Sequence, residues 1–382
     1  MHTLATSAAA FGGTDVRAAA RIALGETPEL PVLPALADRG IGADSIGRTA
    51  AFLVDLPVDT SPRAWKLSDT RGRAARRAAD FLDRDLDAME EQFELARGAV
   101  VDGASASPSR GVRVEVCGPW TLAAKLELPG GRPALSDSGA RKDVAESLRE
   151  GLRALAGRIY SRLGVPVRFV LEEPLLWHIA AGAVPAPSEF DPVAAVPAER
   201  LATALSRFAA GLRADSTEGI FAAVPCRGDE GPAPRWGVLT EPPAGEPRLD
   251  GIVVPAEHLL PWSGRPAHSG THGWADGESD PQAFALLDVL GTFISDGGRA
   301  EIHRPHLLQG LRQEAPRTAD EAEAVAAQLV RLIDRLAIEH PAAVNALSLG
   351  AGAEDIAGTT AHAARALAAV RHVAEVLPRV AS

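Results

Sequence analysis

The sequence predicts an α/β fold in which parallel strands alternate with amphipathic helices. Short apolar runs of strand length recur along the chain, and segments with helical periodicity separate them. The runs lie at 112–116, 165–171, 219–224, 251–254, 300–302 and 344–349. Such runs, alternating with helices, indicate parallel strands that are covered on both faces. A closed barrel and an open doubly wound sheet both satisfy this pattern, so periodicity leaves the two alternatives open.

The helices are predicted from apolar residues that recur every three or four positions. Their apolar faces are formed by Leu82, Leu86, Met89 and Phe93; by Val144, Leu148, Leu152, Leu155 and Ile159; by Leu201, Leu205, Phe208 and Leu212; and by Val325, Leu329, Leu332 and Leu336. Gly164 is placed to end the second of these helices. Thr318 and Glu321 form a capping-box pattern that opens the fourth. A last helix is predicted to begin near Thr359 or Thr360.

Length and composition predict one large domain. The chain has 382 residues, of which 46% are hydrophobic and 23% charged, so it can bury a large core. Two stretches are rich in proline and glycine and interrupt the rhythm of strands and helices. We therefore predict a single domain over residues 1–382 with irregular insertions near 27–69 and 227–280.

The charge balance limits the classes of partner. Fifty acidic residues against 39 basic ones give a net charge of −11, which argues against a nucleic-acid partner. No uninterrupted apolar stretch reaches ~18 residues, so no membrane span is expected. Cys117 and Cys226 are the only cysteines, which fits a reducing cytoplasm. A small molecule remains as the partner class, and the sequence does not define the oligomeric state.

Two motifs place polar groups at the ends of predicted strands. Residues 117–122, with the sequence Cys-Gly-Pro-Trp-Thr-Leu, follow one strand and open a helix whose free amides could hold an anion. Residues 171–175, Leu-Glu-Glu-Pro-Leu, end the next strand, where barrel enzymes place catalytic groups. We predict that the catalytic residues are Glu172 and Glu173, and that the substrate-binding residues are Gly118, Pro119, Trp120 and Thr121. The alternatives are a salt bridge or a loop cap for the glutamates, and a buried structural role for Trp120.

Together with earlier segments, these motifs carry a family resemblance. The earlier segments are Gly13-Thr14-Asp15, Gly25-Glu26, Leu30-Pro31-Val32-Leu33-Pro34 and Gly47-Arg48-Thr49-Ala50. In this order the motifs resemble the superfamily of uroporphyrinogen decarboxylase and cobalamin-independent methionine synthase, in a short actinobacterial-type form. The resemblance extends from about Ala5 to the last helix. It implies a (β/α)8 TIM barrel with insertions, and a zinc ion that activates the thiol of homocysteine to accept a methyl group from a methylfolate.

The chain departs from this family at the implied zinc site. The family holds zinc with a His-x-Cys motif after one strand, a nearby acidic residue and a distant second cysteine. Here the motif reads Val224-Pro225-Cys226, and no cysteine follows Cys226. Cys226 with a carboxylate such as Glu257 would supply two ligands, whereas zinc sites have three or four. The resemblance therefore implies zinc but leaves its ligand set incomplete, with Cys226 as a remnant ligand or simply a packed thiol.

A second departure lies near the amino terminus. The family's Gly-Ser turn, which binds the carboxylate of the amino-acid substrate, reads Ala8-Ala9-Ala10, and Glu172 stands where the family has an aspartate.

A substitute metal site is one alternative; its candidate ligands are His268, His272, Asp276, Glu278, His303 and His306. We predict a methyltransferase-like barrel in which the reaction is altered or lost, and its loss would make the chain a pseudoenzyme. The alternatives are a non-catalytic ligand-binding or partner protein, and, less favoured, a decarboxylase-like enzyme that uses Arg48 and Arg227 to bind a polycarboxylate.

Overall fold

A seven-stranded parallel sheet forms the centre of the protein. A computed structural model describes residues 2–101, 109–185, 192–224, 235–256, 258–259, 281–305, 307, 316 and 318–382. The strands of the sheet are β1 (Leu4–Ser7), β4 (Val112–Cys117), β6 (Val167–Glu172), β7 (Thr217–Ala223), β8 (Gly251–Pro255), β9 (Arg299–His303) and β10 (Leu347–Ala351). Their order is β1-β10-β9-β8-β7-β6-β4, and every neighbouring pair is parallel.

The segment 30–35 lies between the two edge strands and closes the sheet. The backbone amide of Leu33 donates to the carbonyl of Arg113 in β4 (2.8 Å), and the amide of Ala35 donates to the carbonyl of Ala9 after β1 (2.7 Å). The two prolines of this segment have no N–H to donate, which explains why it forms isolated bridges and not a regular strand. With this segment in the eighth position the sheet is closed, and the prediction of a (β/α)8 barrel is confirmed.

Helices surround the barrel. The described helices are α1 (Val16–Glu26), α2 (Ser45–Ala50), α3 (Arg73–Val101), α4 (Pro119–Lys125), α5 (Ser138–Leu163), α6 (Leu176–Ala181), α7 (Ala198–Ala210), α8 (Trp236–Thr240), α9 (Pro281–Ser295), α10 (Ala319–Arg335), α11 (His340–Ala346), α12 (Ala353–Ile356) and α13 (Thr360–Val380). A separate small sheet contains β2 (Val58–Thr60), β3 (Trp65–Leu67) and β5 (Leu126–Glu127). None of the described helices is both long enough and apolar enough to cross a membrane.

The predicted helix ends are confirmed. Gly164 ends α5 with a left-handed backbone conformation (φ 72°), which a glycine adopts at low cost. The hydroxyl of Thr318 accepts from the amide of Glu321 at the start of α10, and Thr359 caps α13 in the same way. These capping contacts satisfy amides that a helix leaves without partners at its first turn.

Three features differ from the sequence patterns. The run predicted as a strand over 344–349 is divided, because α11 extends to Ala346 and β10 begins at Leu347. The first strand, β1, is not marked by an apolar run, since its sequence Leu-Ala-Thr-Ser has one large apolar residue. The proline- and glycine-rich stretch 27–69 contains α2, β2, β3 and the segment that closes the barrel.

Candidate functional site at the carboxyl end of the barrel

Charged side chains fill much of the barrel interior. Along β4 and β6, Arg113 pairs in register with Arg168, so both face the same side of the sheet. Arg113 is fully buried; its Nε donates to Glu301 (2.9 Å) and its Nη1 to Glu115 (2.5 Å). Burial alone would raise the pKa of Glu301, but the charge of Arg113, the hydrogen bond with His303 and the charge of Arg168 hold that pKa well below its usual range.

All three nitrogens of the second interior arginine, Arg168, make hydrogen bonds, whereas Nη2 of Arg113 has only an ion-pair contact with Oε1 of Glu301 (2.8 Å). Nε and Nη2 of Arg168 donate to the two oxygens of Glu218 (2.7 and 2.8 Å), and its Nη1 donates to the hydroxyl of Ser348 (3.1 Å). Arg299 pairs with the same glutamate. Both guanidinium groups lie over the ring of Phe221, at 4.6 and 5.0 Å from its centroid. These cation–π contacts and ion pairs make this part of the interior a satisfied structural network.

A histidine lies on this network at the carboxyl end of β9. Nε2 of His303 is 2.7 Å from Oε1 of Glu301, which fixes the orientation of the ring. Gly350 of the next strand leaves room for it, because a Cβ there would lie 2.4 Å from Cδ2 of His303. The sequence suggested this histidine only as a substitute metal ligand, although its position directly after a strand is a signal for a mouth residue.

The two predicted catalytic glutamates have different environments. Glu172 is the last residue of β6, is partly exposed, and faces the same side of the sheet as Arg168. Glu173 is fully buried, and its two carboxylate oxygens accept from the backbone amides of Trp120 (2.9 Å) and Thr121 (2.7 Å). Burial raises the pKa of Glu173 to about 7, against the opposing effect of these hydrogen bonds.

The predicted substrate-binding turn is in contact with Glu173. Gly118 precedes α4 and lies so close that a Cβ would be 2.4 Å from Oε1 of Glu173. Pro119 occupies the first turn of α4, where its missing N–H has no cost. The indole of Trp120 donates to the carbonyl of Leu201 (3.2 Å). The amides of α4 that could hold an anion therefore bind the chain's own carboxylate, and a substrate-binding role for residues 118–121 stays a prediction.

Arg48 lies beside the carboxyl end of β4, where the neighbouring Thr49 bonds to the amide of Cys117. It belongs to α2, and only 8% of its surface is exposed. Its Nη2 is buried and has no hydrogen-bond partner. Burial lowers the pKa of its guanidinium, while the carboxylates of Asp85 and Glu115, and more weakly that of Glu172, act in the opposite direction. The sequence suggested Arg48 only as a conditional carboxylate-binding residue.

The described residues do not fit the zinc site that the resemblance implies. Val224, which stands at the histidine position, is a buried hydrocarbon, and β10 contains no cysteine. Cys117 is buried, and burial raises the pKa of its thiol well above the usual value. No group of three histidine, cysteine, aspartate or glutamate side chains that could hold a metal occurs among the described residues. Several candidate residues of the sequence lie outside the described residues: Cys226, Arg227, Glu257, His268, His272, Asp276, Glu278 and His306.

Comparisons with known proteins give similarity in fold only. No protein-family model matches the chain, and no match is found among curated proteins. Among solved structures, the chain is similar to a B12-independent methionine synthase from Shewanella sp. W3-18-1, at 11% identity and a TM-score of 0.39, covering 70% of this chain and 62% of that one. It is also similar to a methyltransferase from Methanosarcina mazei, at 13% identity and a TM-score of 0.47, covering 96% of this chain and 93% of that one.

Proposed function

We propose that this barrel binds a small molecule at its carboxyl-end mouth, and that zinc-dependent methyl transfer to homocysteine is weakened, altered or lost in it. The sequence motifs at residues 118–121 and 171–175 support the relation to the methyl-transferring barrels. The observation that carries the loss is the buried Val224 where the resemblance implies an imidazole ligand. An alkyl side chain supplies no lone pair to a metal ion.

The chemistry explains why this position matters. A free thiol has a pKa of about 8.5, so only a small fraction is the nucleophilic thiolate at neutral pH. Coordination to zinc removes that proton, and the described residues provide no equivalent cation site for a substrate sulfur. Glu172 is the residue we propose for ligand contact or proton transfer, because it ends β6 at the mouth and remains partly exposed.

Metal content and turnover test the proposal directly. Protein purified from zinc-supplemented medium is expected to contain far less than one zinc per chain by mass spectrometry, and to form no methionine from homocysteine and methylfolate. Val224→His restores the His-x-Cys spacing and is expected to raise the zinc content. One zinc per wild-type chain, or methionine formation by the wild type, would overturn the proposal.

A non-catalytic binding protein is the second candidate. The observation that favours it is Glu173, whose two oxygens are both held by the amides of α4. A fully buried carboxyl group held through both oxygens is not accessible to a reacting atom. A ligand that raises the melting temperature and is recovered chemically unchanged after long incubation supports this candidate. Conversion of that ligand contradicts it.

A further inference from the structure

Helix α2 holds Arg48 firmly over the carboxyl end of β4. Asp44 caps the helix by accepting from the amide of Gly47 (2.9 Å), and the same carboxylate accepts from the indole of Trp65 (3.1 Å). The hydroxyl of Thr49 accepts from the amide of Cys117 at the end of the strand (2.9 Å). Arg48 is therefore a positioned side chain and not one that explores many rotamers in solvent.

The carboxylates near Arg48 are bonded to other groups. Both oxygens of Asp85 accept from Arg39 (2.6 and 2.9 Å). One oxygen of Glu115 accepts from Arg113 and the other from the backbone amide of Ala9 (2.5 and 2.8 Å). These side chains lower the electrostatic cost of burying Arg48, but they leave its Nη2 without a hydrogen bond. A buried donor without a partner is unfavourable, unless a ligand supplies the acceptor.

We propose that Arg48 anchors the carboxylate group of a small organic acid that enters the mouth of the barrel. This inference rests on the proposed binding function and specifies its ligand class. A guanidinium offers N–H donors that match a carboxylate, and the bond is strongest when water is excluded. We favour a single carboxylate over a phosphate, because Glu115 and Glu172 already contribute negative charge beside Arg48, and a second negative charge would increase the repulsion.

The melting temperature in the presence of simple anions tests this inference. Sodium acetate is the probe, inorganic phosphate is the alternative anion, and sodium chloride at equal ionic strength controls for screening. At ten times its Kd, acetate is expected to raise the melting temperature of the wild type by about 2 °C over chloride. Phosphate is expected to give no such increase.

Three variants locate the effect. Arg48→Met removes the donor while keeping an apolar stem, so the response to acetate should disappear and the melting temperature without acetate should not fall. Arg48→Lys keeps the charge without the planar fork and should weaken the response, which provides a test if Arg48→Met does not fold. Arg39→Met is the matched control: it removes a buried arginine that is paired with Asp85, so stability should fall and the response to acetate should remain.

The outcomes separate this inference from the proposed function. An acetate response in the wild type and Arg39→Met that is absent in Arg48→Met supports the inference. No response in the wild type, an equal response in Arg48→Met, or a response to phosphate and not to acetate overturns it. Zinc content measured on the same preparations decides the proposed function independently. A zinc-free protein that ignores acetate would refute the role of Arg48 alone.

Discussion

The barrel buries arginines in two contrasting ways. In the interior, Arg113 and Arg168 each donate to at least two side chains, and their partners are buried or partly buried. At the mouth, Arg48 is almost as deeply buried, yet its Nη2 has no hydrogen-bond partner. Nη2 of Arg113 also makes no hydrogen bond, but it lies 2.8 Å from Oε1 of Glu301 in an ion pair. Burial of a charged group therefore does not by itself reveal its role; the two regions differ in whether a carboxylate of the chain contacts the guanidinium directly.

The difference has an energetic reason. Taking a charge out of water costs several kcal/mol, and the ion pair offsets this only when the donors and acceptors around it are paired. In the interior network most donors and acceptors are paired, and the network should stabilise the fold only while these pairs remain intact. The mouth does not meet it without a further acceptor, which is the state expected of a binding site before its ligand arrives. Variants of the interior network and variants at the mouth should therefore differ in their effects on the free energy of unfolding.

The largest effect is expected when the interior network loses its central acceptor. Glu301→Gln removes the negative charge that Arg113 and His303 share, and leaves Glu115 as the one described ion-pair partner of the buried Arg113. We expect a loss of about 3–5 kcal/mol in the free energy of unfolding, measured with urea. Asp83→Asn makes the same change at the surface, in an ion pair with Arg158. That control should alter stability by less than about 0.5 kcal/mol, and similar losses in the two variants would contradict the contrast.

The stability difference between the wild type and Glu301→Gln should depend on pH. Because the folded pKa of Glu301 lies well below its ordinary value of 4.5, the stabilising contribution is complete above pH 4.5. It is lost progressively as the pH falls toward the folded pKa, since the unfolded chain then takes up a proton first. The stability difference between wild type and Glu301→Gln should therefore shrink below pH 4.5. A difference that stays constant as the pH is lowered further would contradict this.

At the mouth, Glu173 should show the opposite sign. Its folded pKa is about 7, above the ordinary 4.5, so the folded protein keeps a proton that the unfolded chain releases between these values. Wild-type stability should consequently fall as the pH rises from 4.5 to 7, by up to about 3 kcal/mol, and become level above 7. Glu173→Gln cannot ionise and should lack this contribution. Urea unfolding of both proteins across this pH range measures it, and parallel profiles would contradict the prediction.

The close approach at Gly118 should have an intermediate effect. A Cβ at this position would lie 2.4 Å from Oε1 of Glu173, so Gly118→Ala must displace the buried carboxylate from the amides of α4. We expect a loss of about 1–3 kcal/mol. Gly157→Ala is the matched control, because Gly157 lies on the exposed face of α5 and a Cβ added there would meet no atom within 4 Å. Gly157→Ala should increase the free energy of unfolding by about 0.5–1 kcal/mol. If it loses as much stability as Gly118→Ala, the contact with Glu173 is not what makes Gly118 sensitive.

The sequence predicts the outer layer of this barrel better than its interior. The apolar runs mark β4 and β6 to β10 because their outward residues pack on helices, and threonine and glycine mark helix ends by local capping chemistry. The sequence does not predict the closing segment as a strand, because Pro31 and Pro34 have no backbone N–H to donate and apolar and polar residues do not alternate along it. The parallel closure of a barrel depends on contacts between distant segments, which no local pattern contains.

The candidate site was predictable only in part. Glu172 and Glu173 stand out in the sequence because they end a strand, but their different environments depend on α4, which contributes the amides that hold Glu173. The interior network has a signal that could have revealed it: Arg113 and Glu115 alternate with valines inside β4, which places both on the inward face. Which glutamate pairs with which arginine depends on barrel closure, and so lies beyond a local pattern.

The smallest change in stability is expected at two buried serines, one with a hydrogen-bonded hydroxyl and one without. The hydroxyl of Ser348 accepts from Nη1 of Arg168, whereas the hydroxyl of Ser7 is buried without a partner. Ser348→Ala should cost about 1 kcal/mol, because Arg168 retains both bonds to Glu218. Ser7→Ala removes an unsatisfied polar group and should leave stability unchanged or raise it. Urea unfolding measures both variants, and if Ser7→Ala loses as much as Ser348→Ala, hydrogen-bond satisfaction is not what separates the two kinds of buried polar group.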